Sequence, residues 1–153
     1  MGTVPFSSER EGNPSVVDAV EQPPQRPDEQ LVREVAAVPV QATLLREALI
    51  DWAVTHDLPH DLIVDVELAV YEALANAVTH AYPDGTDGTM TLTTRLTPAT
   101  LTVTVADSGA WRDGNSSPYG GRGLTLIRAL AHEATVSTAP TGTTITMTWS
   151  RQA

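Results

Sequence analysis

The hydrophobic pattern of this chain alternates between a period of about 3.6 residues and a period of two, the signatures of helix and strand. Leu31 to Val38 is short and apolar-rich and is closed by Pro39, which predicts an edge strand. From Val40 to His56 the apolar positions Leu44, Leu45, Ala48, Leu49, Trp52 and Ala53 recur at helical spacing, with Arg46, Glu47 and Asp51 on the other side. That helix should end before Leu58-Pro59, because a residue preceding proline resists the α region. A second helix is predicted from about Asp61 to Ala81, with Ile63, Val66, Val70, Ala73, Ala77 and Ala81 as its buried stripe. Asp61, Asp65, Glu72, Asn76 and Thr79 gather on its opposite side, and Pro83-Asp84-Gly85 marks a turn.

The period then becomes two. Met90, Leu92 and Leu96 alternate with threonines, and after Thr97-Pro98-Ala99 so do Leu101, Val103 and Val105, which predicts an antiparallel hairpin with one apolar face. A loop follows Asp107-Ser108-Gly109 and runs to about Gly121. Gly123 to His132 reads as a third helix with Leu124, Ile127, Leu130 and Ala131 inward. Ala134 to Ala139 and Thr143 to Trp149 read as two closing strands around a Pro140-Thr141-Gly142 turn. The expected fold is a two-layer α/β (α+β) sandwich, a mostly antiparallel sheet covered on one face by helices. Residues 1 to about 28 are polar and hold Pro5, Pro14, Pro23, Pro24 and Pro27, the composition of a flexible leader.

Composition narrows the functional classes. A chain of 153 residues suits one domain with a real core, and 5% aromatic residues imply that Val, Leu, Ile and Ala fill it. A formal net charge of -10 argues against direct nucleic-acid binding and favours a partner of basic character. The absence of cysteine excludes disulfides and thiolate metal sites. No apolar run approaches the ~18 residues of a membrane span and no signal-peptide pattern opens the chain, so a cytoplasmic setting is expected.

Three places carry candidate chemistry. Glu72 and Asn76 stand four apart on the second helix and so lie one above the other; a carboxylate and an amide there can activate a hydroxyl and help hold Mg²⁺. The same spacing fits a solvated helix face. Asp107-Ser108-Gly109 ends a strand, where a carboxylate can accept from an exocyclic amine and a glycine admits a planar ring, or where the segment is simply a turn. Gly120-Gly121-Arg122-Gly123 opens a helix, where backbone N–H groups attract phosphate and Arg122 adds a charge-assisted contact, or where the glycines only connect. No histidine pair has metal-ligand spacing and no G-x-S-x-G elbow occurs.

Taken in order, EALANAVTHAY, VADSG, GGRGLTLIRAL and TGTTI resemble the boxes of the histidine-kinase-like ATPase (Bergerat) domain of gyrase, Hsp90, histidine kinases and MutL. Within that group the chain most resembles the small bacterial anti-sigma-factor serine/threonine kinases, over residues 31 to 150. The resemblance implies an ATP and Mg²⁺ site. Glu72 falls on the general base, Asn76 on the Mg²⁺-binding asparagine, Asp107 on the adenine-recognising aspartate with Gly109 beside the ring. Gly121 and Gly123 fall near the phosphates, Thr143 near adenine, and Arg46 on an arginine near the active site. It also implies a sigma factor and a STAS-domain antagonist as partners, serine phosphorylation of that antagonist, and a homodimer. The chain departs from the family's D-x-G-x-G at Trp111, and its lid, Arg112 to Gly120, is short and lacks lysine. Such bulk leaves a second expectation: a binding module that captures a regulator without transferring phosphate. The catalytic half of a split histidine kinase is a third, weakened by the lack of a dimerisation helix bearing a phosphoacceptor histidine.

Overall fold

The structure is a computed structural model describing residues 29–82, 87–109 and 122–151. The leader, the Pro83-Asp84-Gly85 turn, Trp111, the Arg112 to Gly120 lid and Gly121 lie outside those residues. Along the chain come β1 (Gln30–Ala36), α1 (Pro39–Thr55), α2 (His60–His80), β2 (Thr89–Leu96), β3 (Thr100–Asp107), α3 (Arg122–Leu130), β4 (Glu133–Ala139) and β5 (Gly142–Ser150). The five strands form one sheet in the order β1-β2-β3-β5-β4, and each pairing is antiparallel.

Strand β1 stops at Ala36, two residues short of the expected Val38. Pro39 starts α1 because its fixed φ suits the first helical position, where a missing N–H costs nothing. The helix closes on a tight turn in which Asp57 takes φ 60 and the Leu58 N–H donates to the Ala53 carbonyl at 3.1 Å. Ala42, Leu45, Leu49 and Ala53 are the buried face of α1. Leu44, expected inward, is 49% exposed, because it lies about 100° around the helix from Leu45 and the turn-to-turn series through Leu45 wins the core.

Helix α2 is buried over a broader face than its apolar stripe foretells, with Ala69, Leu74 and Asn76 added to Val66, Val70, Ala73 and Ala77. Ile63 is only partly buried, so the buried stripe starts at Val66. The small side chains of Ala69, Ala73 and Ala77 let neighbouring elements approach α2 closely. That explains why this helix contacts α1, α3 and β3.

In the sheet, the period-two pattern sorts residues by face. Leu101, Val103 and Val105 of β3 pair with Trp149, Met147 and Ile145 of β5, all buried under the helices. The other face presents Thr91, Thr93, Thr102, Thr104, Thr144, Thr146 and Thr148, half-buried β-branched residues that suit a pleated surface. The Trp149 Nε1–H donates to the Leu130 carbonyl at 2.9 Å, tying the last turn of α3 to β5 and satisfying a buried polar atom.

Candidate nucleotide site

The site begins where the apolar ladder of the sheet stops. One rung beyond Val105 and Ile145, the same inward positions are Asp107 and Thr143, which face each other across β3 and β5. Both are buried, Asp107 at 9% exposure and Thr143 at 2%. Directly opposed residues bring their Cβ atoms within about 5 Å, so carboxylate and hydroxyl share one small space. Thr143 Oγ1 has no hydrogen-bond partner in that space. A buried hydroxyl without a partner costs about 1–3 kcal/mol, and a bound polar group would remove that cost.

Two glycines let backbone close in around Asp107. Gly142 has φ +150, and a Cβ there would lie 2.1 Å from the Asp107 carbonyl oxygen. The Asp107 side chain turns back on its own loop, Oδ1 accepting the Gly109 N–H at 3.0 Å. At Gly109 a Cβ would lie 1.9 Å from the Ala81 carbonyl oxygen. The sequence suggests that Gly109 is small to admit a ring. The structure supplies a separate necessity: the end of α2 abuts this turn backbone to backbone.

On α2, the Asn76 Nδ2–H donates to Glu72 Oε2 at 3.3 Å. Asn76 is only 9% exposed while Glu72 is half-buried. The expectation of a merely solvated face therefore does not hold for Asn76. With its amide nitrogen given to Glu72, the amide oxygen is the atom left for a hard cation. Five residues beyond Asn76, Ala81 caps the helix against Gly109, so the pair lies in the half of α2 that ends at the Asp107 turn.

Arg46 is placed differently. Its Nε lies 3.9 Å from Glu67 Oε2, too long for a hydrogen bond, and its guanidinium carbon sits 5.0 Å from the centre of the Tyr71 ring. Tyr71 stands about 100° around α2 from Glu72, so these contacts are with another face of the helix. Helix α3 starts at Arg122, which puts Arg122 and Gly123 in a first turn whose N–H groups lack intrahelical partners. Among the described residues no group of three or more His, Asp or Glu side chains is arranged to hold a metal ion. No helix among them is long and apolar enough to cross a membrane.

Sequence reasoning missed Tyr82. Its hydroxyl donates to the Thr89 carbonyl at 2.8 Å and accepts the Ser108 N–H at 3.1 Å. Tyr82 closes the EALANAVTHAY stretch, but nothing local signals a contact made 26 residues away.

Comparison with known proteins agrees with this fold. Residues 35–149 match the histidine kinase-like ATPase domain. Serine-protein kinase RsbW of Bacillus pumilus is 32% identical over 133 residues, spanning 75% of this chain and 82% of that protein. RsbW of Bacillus subtilis is 31% identical over 131 residues, spanning 75% and 81%. The solved RsbU and RsbW domains of a Mycobacterium tuberculosis protein superpose with a TM-score of 0.66 at 29% identity, covering 81% of this chain and 33% of that one. The histidine kinase domain of a blue-light-activated kinase from Erythrobacter litoralis gives 0.54 at 26%, covering 60% and 46%. The chain has the histidine-kinase-like ATPase fold, and it belongs to the bacterial anti-sigma-factor serine/threonine protein kinases.

Proposed function

We propose that this chain is a protein kinase that uses ATP and Mg²⁺ to phosphorylate a serine of a STAS-domain anti-sigma-factor antagonist, and that it binds and regulates a sigma factor, working as a homodimer. The observation that carries the proposal is the burial of Asn76 against Glu72. A surface helix has no reason to desolvate an amide beside a carboxylate, whereas a phosphoryl-transfer site needs both. The kinase name shared by the Bacillus relatives supports transfer to serine.

In this proposal Asp107 accepts from the exocyclic amine of adenine, and the hydroxyl of Thr143 gains the polar partner it lacks. The N–H groups opening α3, with Gly121, Arg122 and Gly123, receive the phosphates. Asn76 would hold Mg²⁺ through its amide oxygen, and that ion offsets negative charge on the phosphate oxygens. Glu72 takes the proton from the serine hydroxyl as that oxygen bonds to the γ-phosphorus. The bond from the γ-phosphorus to the bridging oxygen breaks, and ADP leaves. Arg46 is proposed as catalytic on the family resemblance alone.

The test is transfer of labelled γ-phosphate to a STAS-domain partner. Glu72→Ala should lower the rate by about 10²–10⁴-fold, the usual worth of a general base. Transfer at the wild-type rate would remove Glu72 from that role. The second reading, a module that captures a regulator without chemistry, is favoured by Trp111 in place of the family glycine. Undiminished capture of the partner with no transfer at millimolar ATP would establish it.

A further inference from the structure

We propose that Tyr82 is a positioning residue for the nucleotide site, a latch that sets the Asp107-Ser108-Gly109 turn against the end of α2. The proposal rests on the ATP reading given above. Its basis is a relay of two hydrogen bonds through one phenol oxygen. The Ser108 N–H donates to Tyr82 Oη at 3.1 Å, and Tyr82 Oη donates to the Thr89 carbonyl at 2.8 Å. Serving at once as acceptor and donor polarises the hydroxyl and strengthens both bonds. Ser108 lies between the aspartate proposed to read adenine and the glycine pressed against Ala81, so its N–H fixes the middle of that turn.

The ring is held for this task and not as core filling. A Cβ at Gly88 would come within 2.0 Å of Tyr82 Cζ, so the ring lies directly on the Gly88 backbone. Elsewhere it is only half-buried, and it borders an open cavity of about 740 Å³ with Val38, Pro39 and Val78. Packing on one side and hydroxyl bonds at the tip therefore determine where it sits. Tyr82 follows α2 by two residues, so any movement of the Glu72–Asn76 helix along its axis reaches the turn through this side chain and through the Ala81–Gly109 contact.

The experiment is Tyr82→Phe in the full chain, which keeps the ring on Gly88 and removes only the hydroxyl. Amide exchange at Ser108 should quicken about 5- to 10-fold, the worth of one hydrogen bond. The dissociation constant for ATP should rise by a similar factor, while the melting midpoint of the free protein moves by less than about 4 °C and the transfer rate at saturating ATP stays within about twofold. Unchanged Ser108 exchange overturns the latch. Faster exchange with wild-type ATP affinity overturns the positioning role. A wild-type chain that binds no ATP sinks the nucleotide reading and this proposal with it, whereas equal ATP affinity in both chains sinks this proposal alone.

Discussion

The middle of the sheet and its end are built from the same strands on the same alternation, yet they serve opposite ends. Between β3 and β5 the inward rungs are Leu101–Trp149, Val103–Met147 and Val105–Ile145, and then Asp107–Thr143. All four rungs are buried. The first three stabilise the fold by removing apolar area from water, roughly 1.5–3 kcal/mol per large side chain. The fourth gains nothing of that kind and carries a buried hydroxyl without a partner. Burial therefore does not distinguish core from site in this molecule; chemistry on a continuing pattern does. Apolar burial is concentrated in the middle, and the end carries the polar pair that the proposed function assigns to a nucleotide.

The largest expected effect lies in the middle. Trp149→Ala removes the biggest fully buried side chain and strands the Leu130 carbonyl, so unfolding free energy should fall by about 3–5 kcal/mol in chemical denaturation. A loss below about 1 kcal/mol would mean that the ladder is not the core it resembles.

A smaller and sharper contrast uses one substitution chemistry at two positions. Thr94 and Thr143 are both fully or nearly fully buried, and both have Oγ1 without a partner. Thr94 sits inside the apolar region, between Leu92 and Leu96 on the inward face of β2, while Thr143 faces Asp107. Valine at either place removes an unsatisfied hydroxyl and should stabilise the free protein by about 1 kcal/mol. Only Thr143→Val should also weaken ATP binding, by about 5- to 10-fold for one lost hydrogen bond. Equal ATP affinity in the two variants would erase the distinction between the rungs.

Much of this was legible in the sequence. The threonine alternation fixes both the strands and the outward face, because a period of two leaves no other surface for those residues. The order of the hairpin, the third helix and the closing hairpin follows from the same change of period, although the helix opens at Arg122, one residue before the expected Gly123. What was not legible depends on contacts between distant segments. Leu44 and Leu45 both fit a stripe on α1, and only packing into the core decides for Leu45. Asn76 lies on the polar side by spacing, and its burial comes from surrounding elements that a helical wheel does not contain. Gly109 reads as room for a ligand, but the Ala81 carbonyl that demands it arrives from another element. Tyr82 is invisible for the same reason, since its hydroxyl joins the start of β2 to the end of β3.

In the proposed function, the polar rung at the end of the sheet is the base-recognising part of an ATP site. The decisive experiment is calorimetric titration of ATP, in the presence of Mg²⁺, into the wild-type chain and into Asp107→Asn. That substitution keeps size and burial and removes the charged acceptor. Saturable binding is expected for the wild type, with an affinity at least about tenfold lower in the variant, as for a hydrogen bond to a charged group. Absence of wild-type binding at millimolar ATP, or equal affinity in the two chains, would contradict it.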